Sequence, residues 1–391
     1  MYDLRDYAGM IADEVRMRAY SDALTRHVTP GCTVLDLGAG VGLHAMMACR
    51  LGAAKVFAIE TNDAIQVARE HALANGYADR MVFIHQRSEL VSLPAPVDVI
   101  VSDLRGALPL FGRHVATIAD ARQRFLAANG VLLPACDRIF AALVEAPSQY
   151  GRLVDRWTAD AHAFDLSAAR VRAVNAWYKE RLAGDQLISA PAHWWTVDYS
   201  LALATRVTND LTFVATRQGN LHGIALWFDA EISSGIGFSN APGASRTVYS
   251  QGFFPLPRAV DIAEGDVVTC RITAAPVGDE YVWIWHTRVF AGSEDLVPKA
   301  QFEQSTFAGH LFARDDLQKR AHSYVPATGG EAAVERSILA HFNGRTSLGD
   351  IATLLRAEFP ARFQSWEEAL TRVGNTSVTC SDSVAPAIQG F

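Results

Sequence analysis

The chain has 391 residues, more than one domain usually holds, so two or three structural units are expected. Hydrophobic residues make up 50% and charged residues 20%, which is typical of a globular protein and excludes a disordered one. The net charge of -7 disfavours a nucleic-acid partner, and no apolar run is long enough to cross a bilayer. The five cysteines form no CxxC pair, so we expect no metal site and a cytoplasmic location.

The N-terminal half alternates short apolar runs with helical stretches. Residues 9–28 place apolar side chains at helical spacing, which predicts one amphipathic helix. The runs VLDLG, KVFAIE, MVFIHQ, VDVIVSD and GVLLP then recur between Thr33 and Pro134, which predicts a parallel sheet flanked by helices. We expect a helical segment at 1–30 and a Rossmann-like domain at 31–137.

After Pro134 the pattern changes to β-rich runs such as LHGIALWFDAEI and YVWIWHTRVF, which are typical of antiparallel sheets and barrels. We expect a β-barrel domain over residues 138–310, with a mainly helical insert at about 149–190. Residues 311–391 return to helical spacing and predict a small helical domain, with a loosely ordered stretch from Asn375. The predicted fold class is therefore α/β.

A glycine-rich turn, GAGVG, lies between the first strand and the next helix. Its glycines allow a ligand to approach the backbone closely; they are Gly38, Gly40 and Gly42. Glu60 ends the following strand, where a carboxylate can bind both ribose hydroxyls. Two ligands suit this arrangement, a dinucleotide and S-adenosylmethionine.

The spacing within the turn favours S-adenosylmethionine. A dinucleotide site uses GxGxxG to face a pyrophosphate, whereas this turn reads GxGxG. Asp36, two residues before the first glycine, would repel a phosphate but could pair with an ammonium group. The alternative is a glycine-rich turn of an unrelated α/β protein in which Asp36 only caps the helix.

Five motifs, in order, resemble those of the protein arginine methyltransferases and their bacterial relatives. MIADEVRMRAY (10–20) is similar to the family's N-terminal helix, VLDLGAGVG and AIE to its cofactor motifs, and RSELVSLP (87–94) to the segment covering the adenine. VDVIVSDLRG and ARQRFLAANGVLLP (121–134) follow the next two motifs, and HGIALWFDAEIS is similar to the family's barrel. The resemblance implies a class I S-adenosylmethionine-dependent methyltransferase.

The resemblance also implies a role for each cofactor-binding residue. Arg16 would pair with the methionine carboxylate, and Asp36 would lie near the amino group. The three glycines would shape the turn, Glu60 would bind the ribose and Glu89 the adenine amino group. The alternatives are a solvated helix charge for Arg16 and a surface acid for Glu89.

The catalytic residues depart from the family pattern. The family holds a guanidinium between two glutamates, but here Asp103 stands at the first position and Gly112 at the second. The family's Thr-His-Trp loop reads Thr247, Val248, Tyr249. A guanidinium is best held by a fork of carboxylates, so we expect methyl transfer to an acceptor other than arginine.

The predicted acceptor pocket also carries cationic side chains. Arg105, Arg113 and His114 would repel a cation, and the arginines would suit an acceptor bearing a carboxylate. A single carboxylate would suit an amine, an imidazole or an amide. Asp103 and His114 are candidate general bases, so Asp103, Arg105 and His114 are the predicted catalytic residues. The alternatives are a solvent-facing loop position for His114, and for Arg105 a surface charge or a bond to a helix carbonyl.

The helical insert occupies the position of the family's dimerisation arm, which implies a homodimer. Its expected apolar contacts are Trp157, Phe164, Val174 and Trp177. The alternative is a hairpin packed on its own barrel.

The segment NGRTSLGDIA resembles the helical part of PqqD-type winged-helix domains, which hold a leader peptide by β-augmentation. A helical appendage that covers part of the barrel is the alternative. DNA binding by a helix-turn-helix is disfavoured by several acids: Asp350, Glu358, Glu367 and Glu368.

Together these features predict an enzyme that N-methylates a peptide or protein, for example a ribosomally made peptide. One alternative is an arginine methyltransferase whose missing acid comes from Glu231 or Asp229. The others are a small-molecule N- or O-methyltransferase and a non-catalytic cofactor-binding scaffold.

Overall fold

The computed structural model describes residues 2–158, 164–201, 206–292 and 297–381. The chain forms two compact units, Met1–Leu311 and Phe312–Phe391. The first unit contains a parallel sheet and two antiparallel sheets, so the predicted α/β class is confirmed. None of the helices in the described ranges has the length and apolar character needed to cross a membrane.

The parallel sheet contains five strands: Thr33–Leu37 (β1), Lys55–Glu60 (β2), Met81–His85 (β3), Val97–Ser102 (β4) and Leu126–Leu133 (β5). Their order is β3-β2-β1-β4-β5. Nearly continuous apolar runs form β1 and β4 because side chains on both faces of these strands are buried. The order reverses between β1 and β4, and a switch point of this kind leaves a crevice beyond the carboxyl ends of the strands.

Helices surround this sheet: Leu4–Ile11 (α1), Glu14–His27 (α2), Leu43–Arg50 (α3), Ala64–Ala74 (α4) and His114–Phe125 (α5). The single helix predicted over residues 9–28 is in fact the end of α1 followed by α2. Asp13 separates them because its carboxylate accepts a hydrogen bond from the backbone N–H of Arg16, 3.1 Å away, and so caps α2.

The antiparallel strands run from Cys136 to Ser305: Cys136–Val144 (β6), Tyr178–Glu180 (β7), Ala192–Asp198 (β8), Val207–Val214 (β9), Gly219–Ser233 (β10), Ile236–Ser239 (β11), Gln251–Ile262 (β12), Val267–Val277 (β13), Glu280–Phe290 (β14) and Ala300–Ser305 (β15). One sheet has the order β7-β12-β10-β6-β8, with β11 on β10, and the other β15-β14-β13-β9. Buried aromatic rings join the two sheets: Phe254 of β12 lies 5.5 Å from Trp283 and 5.2 Å from Trp285 of β14. The predicted barrel is therefore confirmed.

The predicted arm contains two helices, Pro147–Leu153 (α6) and Ser167–Ala173 (α7), followed by strand β7. Residues 159–163 of the arm lie outside the described residues. Val174 is buried within its own chain, and Trp177 stacks on Phe254 at 6.0 Å. Of the four expected dimer contacts, Trp157 and Phe164 are therefore the exposed ones.

After the short helix Thr306–Gly309 (α8), the second unit contains Arg314–Lys319 (α9), Gly330–Ala340 (α10), Leu348–Glu358 (α11) and Trp366–Cys380 (α12). A small apolar core holds the last three helices together, with Ile338, Leu355 and Val373 at its centre. We expected a loosely ordered stretch from Asn375 onward. This prediction is wrong for residues 375–380, because these residues continue α12. Residues 382–391 of that stretch lie outside the described residues.

Candidate active site

A cavity of about 770 Å³ lies at the switch point of the parallel sheet. Its walls come from α1, the glycine-rich turn after β1, the end of β2, the loop after β4 and the barrel loop at Val248 and Tyr249. A second cavity of about 370 Å³ adjoins it and shares Gly38, Glu60 and Phe111 with the first. We call them the first and second cavity.

The glycine-rich turn leaves no room for side chains. Gly38 and Gly40 have φ angles of 79° and 52°, in the left-handed region that favours glycine. A Cβ atom on Gly38 would lie 2.2 Å from Leu104, and one on Gly40 would lie 2.6 Å from the ring of Tyr7. Gly42 caps the start of α3 with a φ of 84°. The backbone of the turn therefore lines the first cavity directly.

Glu60 stands at the carboxyl end of β2 and faces both cavities. Its Oε2 accepts a hydrogen bond from the N–H of Gly40 at 2.8 Å, and its Oε1 accepts from Thr61 at 2.7 Å and Asn62 at 2.8 Å. A carboxylate oxygen can accept two hydrogen bonds, so Oε2 keeps the capacity to bind a ligand hydroxyl.

Asp36 lies beneath the turn rather than on the wall of the first cavity. It is 1% exposed, and its carboxylate accepts a hydrogen bond from the N–H of Ala45 at 2.9 Å, in the first turn of α3. Burial raises the pKa of Asp36 to about 7. This geometry favours the capping alternative, and contact with the cofactor's amino group stays a prediction.

Asp103 follows β4 and is surrounded by hydrogen-bond donors. The hydroxyl of Tyr249 donates to it at 2.6 and 2.7 Å, Nη1 of Arg105 donates at 2.8 Å, and Nε of Arg16 donates to the other oxygen. Burial alone would raise the pKa of Asp103, but the two guanidinium groups hold it well below its usual range. Asp103 is therefore a weak base with few free lone pairs.

Arg105 is fully enclosed by this network. Its Nε donates to Asp137 of β6 at 2.7 Å, and its Nη1 also donates to the hydroxyl of Tyr20 at 2.7 Å. The guanidinium lies over the rings of Phe228 at 5.7 Å and Phe238 at 5.9 Å. The surface-charge alternative for Arg105 is wrong, because its side chain is 0% exposed.

His114, the first residue of α5, lies on the second cavity and not on the first. Its Nε2 is 2.7 Å from the hydroxyl of Tyr199, which donates to Asp137 at 2.6 Å. The side chain is buried, so the solvent-facing alternative is wrong. Burial, reinforced by the charge of Arg105, lowers the pKa of His114 to about 3. The general-base role stays a prediction that this placement does not favour.

Glu89 also faces the second cavity. Its Oε1 accepts hydrogen bonds from Nε and Nη2 of Arg113 at 3.2 and 2.8 Å. Arg113 further pairs with Asp279 at 3.0 Å and is partly exposed. Arg113 was expected in the acceptor pocket, but these two acids hold it on the second cavity instead.

No sequence motif singles out His44, which the structure places on the wall of the first cavity. It lies in the first turn of α3, and its ring packs on Tyr20 at 4.7 Å. Its Nε2 has no hydrogen-bond partner within the described residues. Burial lowers the pKa of His44 to about 4, so the imidazole is neutral at physiological pH.

The two acids suggested as replacements lie elsewhere. Glu231, on β10, pairs with Arg138 of β6 at 2.6 Å, and neither Glu231 nor Asp229 lines the first cavity. Across the described ranges there is also no group of three or more His, Cys, Asp and Glu side chains that could hold a metal ion. The carboxylates on the wall of the first cavity are therefore Asp6, Glu60 and Asp103.

Comparisons with known families match both halves of the first unit. Residues 21–133 match the ribosomal protein L11 methyltransferase family, and residues 137–282 match the arginine methyltransferase oligomerization subdomain. An arginine N(omega)-methyltransferase of Streptomyces achromogenes subsp. streptozoticus is 30% identical over 68% of this chain and 75% of its own length. A probable protein arginine N-methyltransferase 1.2 of Arabidopsis thaliana is 28% identical over 68% of this chain and 75% of its own.

Solved structures show the same fold. The Trypanosoma brucei PRMT1 enzyme-prozyme heterotetrameric complex with AdoHcy matches with a TM-score of 0.70 at 20% identity, over 76% of this chain and 97% of that one. Protein arginine methyltransferase 10 of Arabidopsis thaliana matches with a TM-score of 0.67 at 22% identity, over 78% and 97%.

The parallel sheet with its glycine-rich turn, the terminal acid Glu60 and the attached barrel define a class I S-adenosylmethionine-dependent methyltransferase. The chain belongs to the protein arginine N-methyltransferase family.

The residues of both cavities fit the cofactor S-adenosylmethionine. The turn has no side chains to block it, and Glu60 offers a free lone pair to a ribose hydroxyl. When bound, the cofactor supplies a methyl group already activated by its sulfonium. Glu60 and the glycine-rich turn would hold its nucleoside, and Glu89 would face the base.

Proposed function

We propose that this methyltransferase acts on a nitrogen other than that of a guanidinium, in a peptide or protein acceptor. The observation that carries this proposal is the saturation of Asp103 by Arg16, Arg105 and Tyr249. A guanidinium needs a fork of carboxylate oxygens. Asp103 is the acid after β4 that faces the first cavity among the described residues, and it already binds two guanidinium groups.

The position of the family's second glutamate supports the same conclusion. Gly112 lies on the second cavity, and a Cβ atom there would be 3.8 Å from the backbone oxygen of Asp279. The position of the second glutamate therefore carries no carboxylate, and it lies on the second cavity.

Arg105 takes the place that an acceptor guanidinium would need. Asp103 and Asp137 bind its nitrogen atoms, and its Cζ lies 5.7 and 5.9 Å from the ring centroids of Phe228 and Phe238. Carboxylates and aromatic faces are the groups that recognise guanidinium ions in proteins. The chain therefore satisfies this site with its own arginine, and an entering cation would meet two positive charges.

The deprotonation step favours an acceptor that is neutral or weakly basic. Methyl transfer to nitrogen needs a lone pair on that atom and exclusion of water, with little covalent help from the protein. Arg16 and Arg105 weaken Asp103 as a base, whereas His44 presents a neutral imidazole to the same cavity. Burial and the charge of Arg16 also make His44 a weak base, so the acceptor nitrogen should be one that carries a free lone pair without strong base catalysis.

The names of most relatives support a peptide or protein acceptor, since they describe protein methyltransferases. A homodimer through the arm is supported by the match to an oligomerization subdomain and by the exposed side chains of Trp157 and Phe164.

Leader binding by β-augmentation needs an open strand, and the second unit has helices but no strand in residues 312–381. Deletion of residues 312–391 tests that role, which requires peptide affinity to fall while cofactor affinity stays the same.

The direct test of the proposed function is intact-mass spectrometry with isotopically labelled S-adenosylmethionine. The acceptors are free arginine and one peptide scaffold whose central residue is Arg, Lys, His, Asn or Asp. We expect label on an amine, imidazole or amide and none on arginine. Glu60→Ala, in which cofactor binding is weakened, serves as the control and should label more slowly. Preferred labelling of arginine, or no labelling of any acceptor, would contradict the proposal.

A further inference from the structure

The second cavity contains a polar atom that the protein itself leaves without a partner. His114 is 3% exposed, and its Nδ1 has no hydrogen-bond partner within the described residues. A buried polar atom in this state costs free energy unless another molecule satisfies it. Since Nε2 already faces Tyr199, Nδ1 is the nitrogen available to a ligand.

The surrounding hydrogen bonds fix the tautomer of this imidazole. Arg105 pairs with Asp137, which keeps that carboxylate an acceptor for the hydroxyl of Tyr199. Because Tyr199 donates to Asp137, its oxygen must accept the proton carried by Nε2 of His114. A neutral imidazole with its proton on Nε2 has a lone pair on Nδ1. His114, a residue of the second cavity's wall, therefore has an unused hydrogen-bond acceptor.

The second cavity has the character of a site for a planar base. Glu60, at its junction with the first cavity, is placed to bind a ribose. The walls of the second cavity carry the apolar side chains of Ile59, Leu104 and Phe111, and polar side chains that include the acceptors Glu89 and His114. Arg113 donates to Oε1 of Glu89, and Nη2 of Arg87 lies 3.6 Å from the same oxygen.

We propose that Nδ1 of His114 accepts a hydrogen bond from the exocyclic amino group of the cofactor's adenine, beside Glu89. An exocyclic amino group has two N–H donors, and Glu89 and His114 can each accept one of them. A purine with an oxygen at this position has no donor there, and the lone pairs of that oxygen would repel both acceptors. His114 is thus a residue that selects a 6-aminopurine, and Tyr199 is a positioning residue that acts through it.

Isothermal calorimetry with two ligands tests this assignment. S-Adenosylhomocysteine carries the amino group, and S-inosylhomocysteine carries an oxygen in its place. In His114→Phe, S-adenosylhomocysteine should bind about two- to tenfold more weakly, as expected for one hydrogen bond, while S-inosylhomocysteine should bind no more weakly than before. His193→Phe, which removes a surface imidazole on β8, is the matched control.

Tyr199→Phe supplies a second, independent readout. Without that hydroxyl the imidazole can carry its proton on Nδ1 and donate to the oxygen of inosine, so S-inosylhomocysteine should gain affinity relative to S-adenosylhomocysteine. Unchanged affinities in both variants would overturn the assignment. An equal loss for the two ligands would also overturn it, because that result indicates a purely structural role.

Discussion

The two sides of the first cavity are built from different kinds of contact. On the cofactor side Glu60 binds three backbone N–H groups, all within 20 residues of it along the chain. On the acceptor side Asp103 binds Arg16 and Tyr249, which lie 87 and 146 residues away. The cofactor side therefore depends on a local motif, whereas the acceptor side depends on a network that closes only when the parallel sheet and barrel come together.

Asp103→Asn should have the largest effect and tests whether the acceptor side is a structural network. The substitution leaves Arg16 and Arg105 buried without a full counter-charge, which typically costs about 3–5 kcal/mol. Chemical denaturation measures this loss. Asp210→Asn, which breaks the exposed pair with Arg271, is the control and should cost less than about 1 kcal/mol. A similarly small loss for Asp103→Asn would mean that its carboxylate is available to an acceptor.

Asp36→Asn tests whether Asp36, unlike the acids that face the cavities, is a buried acid that stays protonated in the folded protein. Burial favours the protonated form of Asp36, so its contribution to stability is complete below the ordinary pKa of 3.8 and is lost as the pH rises through about 7. The asparagine variant does not titrate. The difference in unfolding free energy between the two proteins should therefore change by about 4 kcal/mol between pH 4 and pH 8. A constant difference would show that Asp36 is ionised in the folded state.

Glu60→Ala should have a smaller effect on stability and a selective effect on ligand binding. The residue contributes charge-assisted hydrogen bonds at the junction of the two cavities, so we expect about 10- to 100-fold weaker binding of S-adenosylhomocysteine. Calorimetry measures the affinity, and Glu70→Ala, an exposed acid on α4, is the control. If the two variants bind equally well, the cofactor side has been assigned to the wrong residues.

The cofactor side could be predicted from the sequence because its residues follow one another along the chain. The strand, the glycines and the terminal acid occur in order, and each glycine has a backbone angle or a close neighbour that explains it. Asp36 is the exception, since its position before the turn suits a ligand contact as well as the cap that it forms with Ala45.

The acceptor side could be predicted from the sequence only in part. The absence of a second acid was evident at Gly112, but nothing local showed that Arg105 would reach Asp137 or that Tyr249 would bind Asp103. Arg113 and His114 follow Arg105 closely in sequence, yet the turn at Gly112 carries them to the second cavity. No sequence feature predicts His44 as a cavity residue, because a histidine in the first turn of a helix is common. Its place on the cavity wall depends on packing against Tyr20.

The most direct measurement compares an arginine peptide with its citrulline counterpart, a neutral group of the same shape, in calorimetric titrations of the enzyme saturated with S-adenosylhomocysteine. We expect the wild type to bind arginine no more tightly than citrulline, because Asp103 already binds the guanidinium of Arg105. Arg105→Met combined with Asp137→Asn returns one side of Asp103 to the cavity and should shift the preference toward arginine. Tighter binding of arginine by the wild type, by about tenfold or more, would contradict this view of the acceptor side.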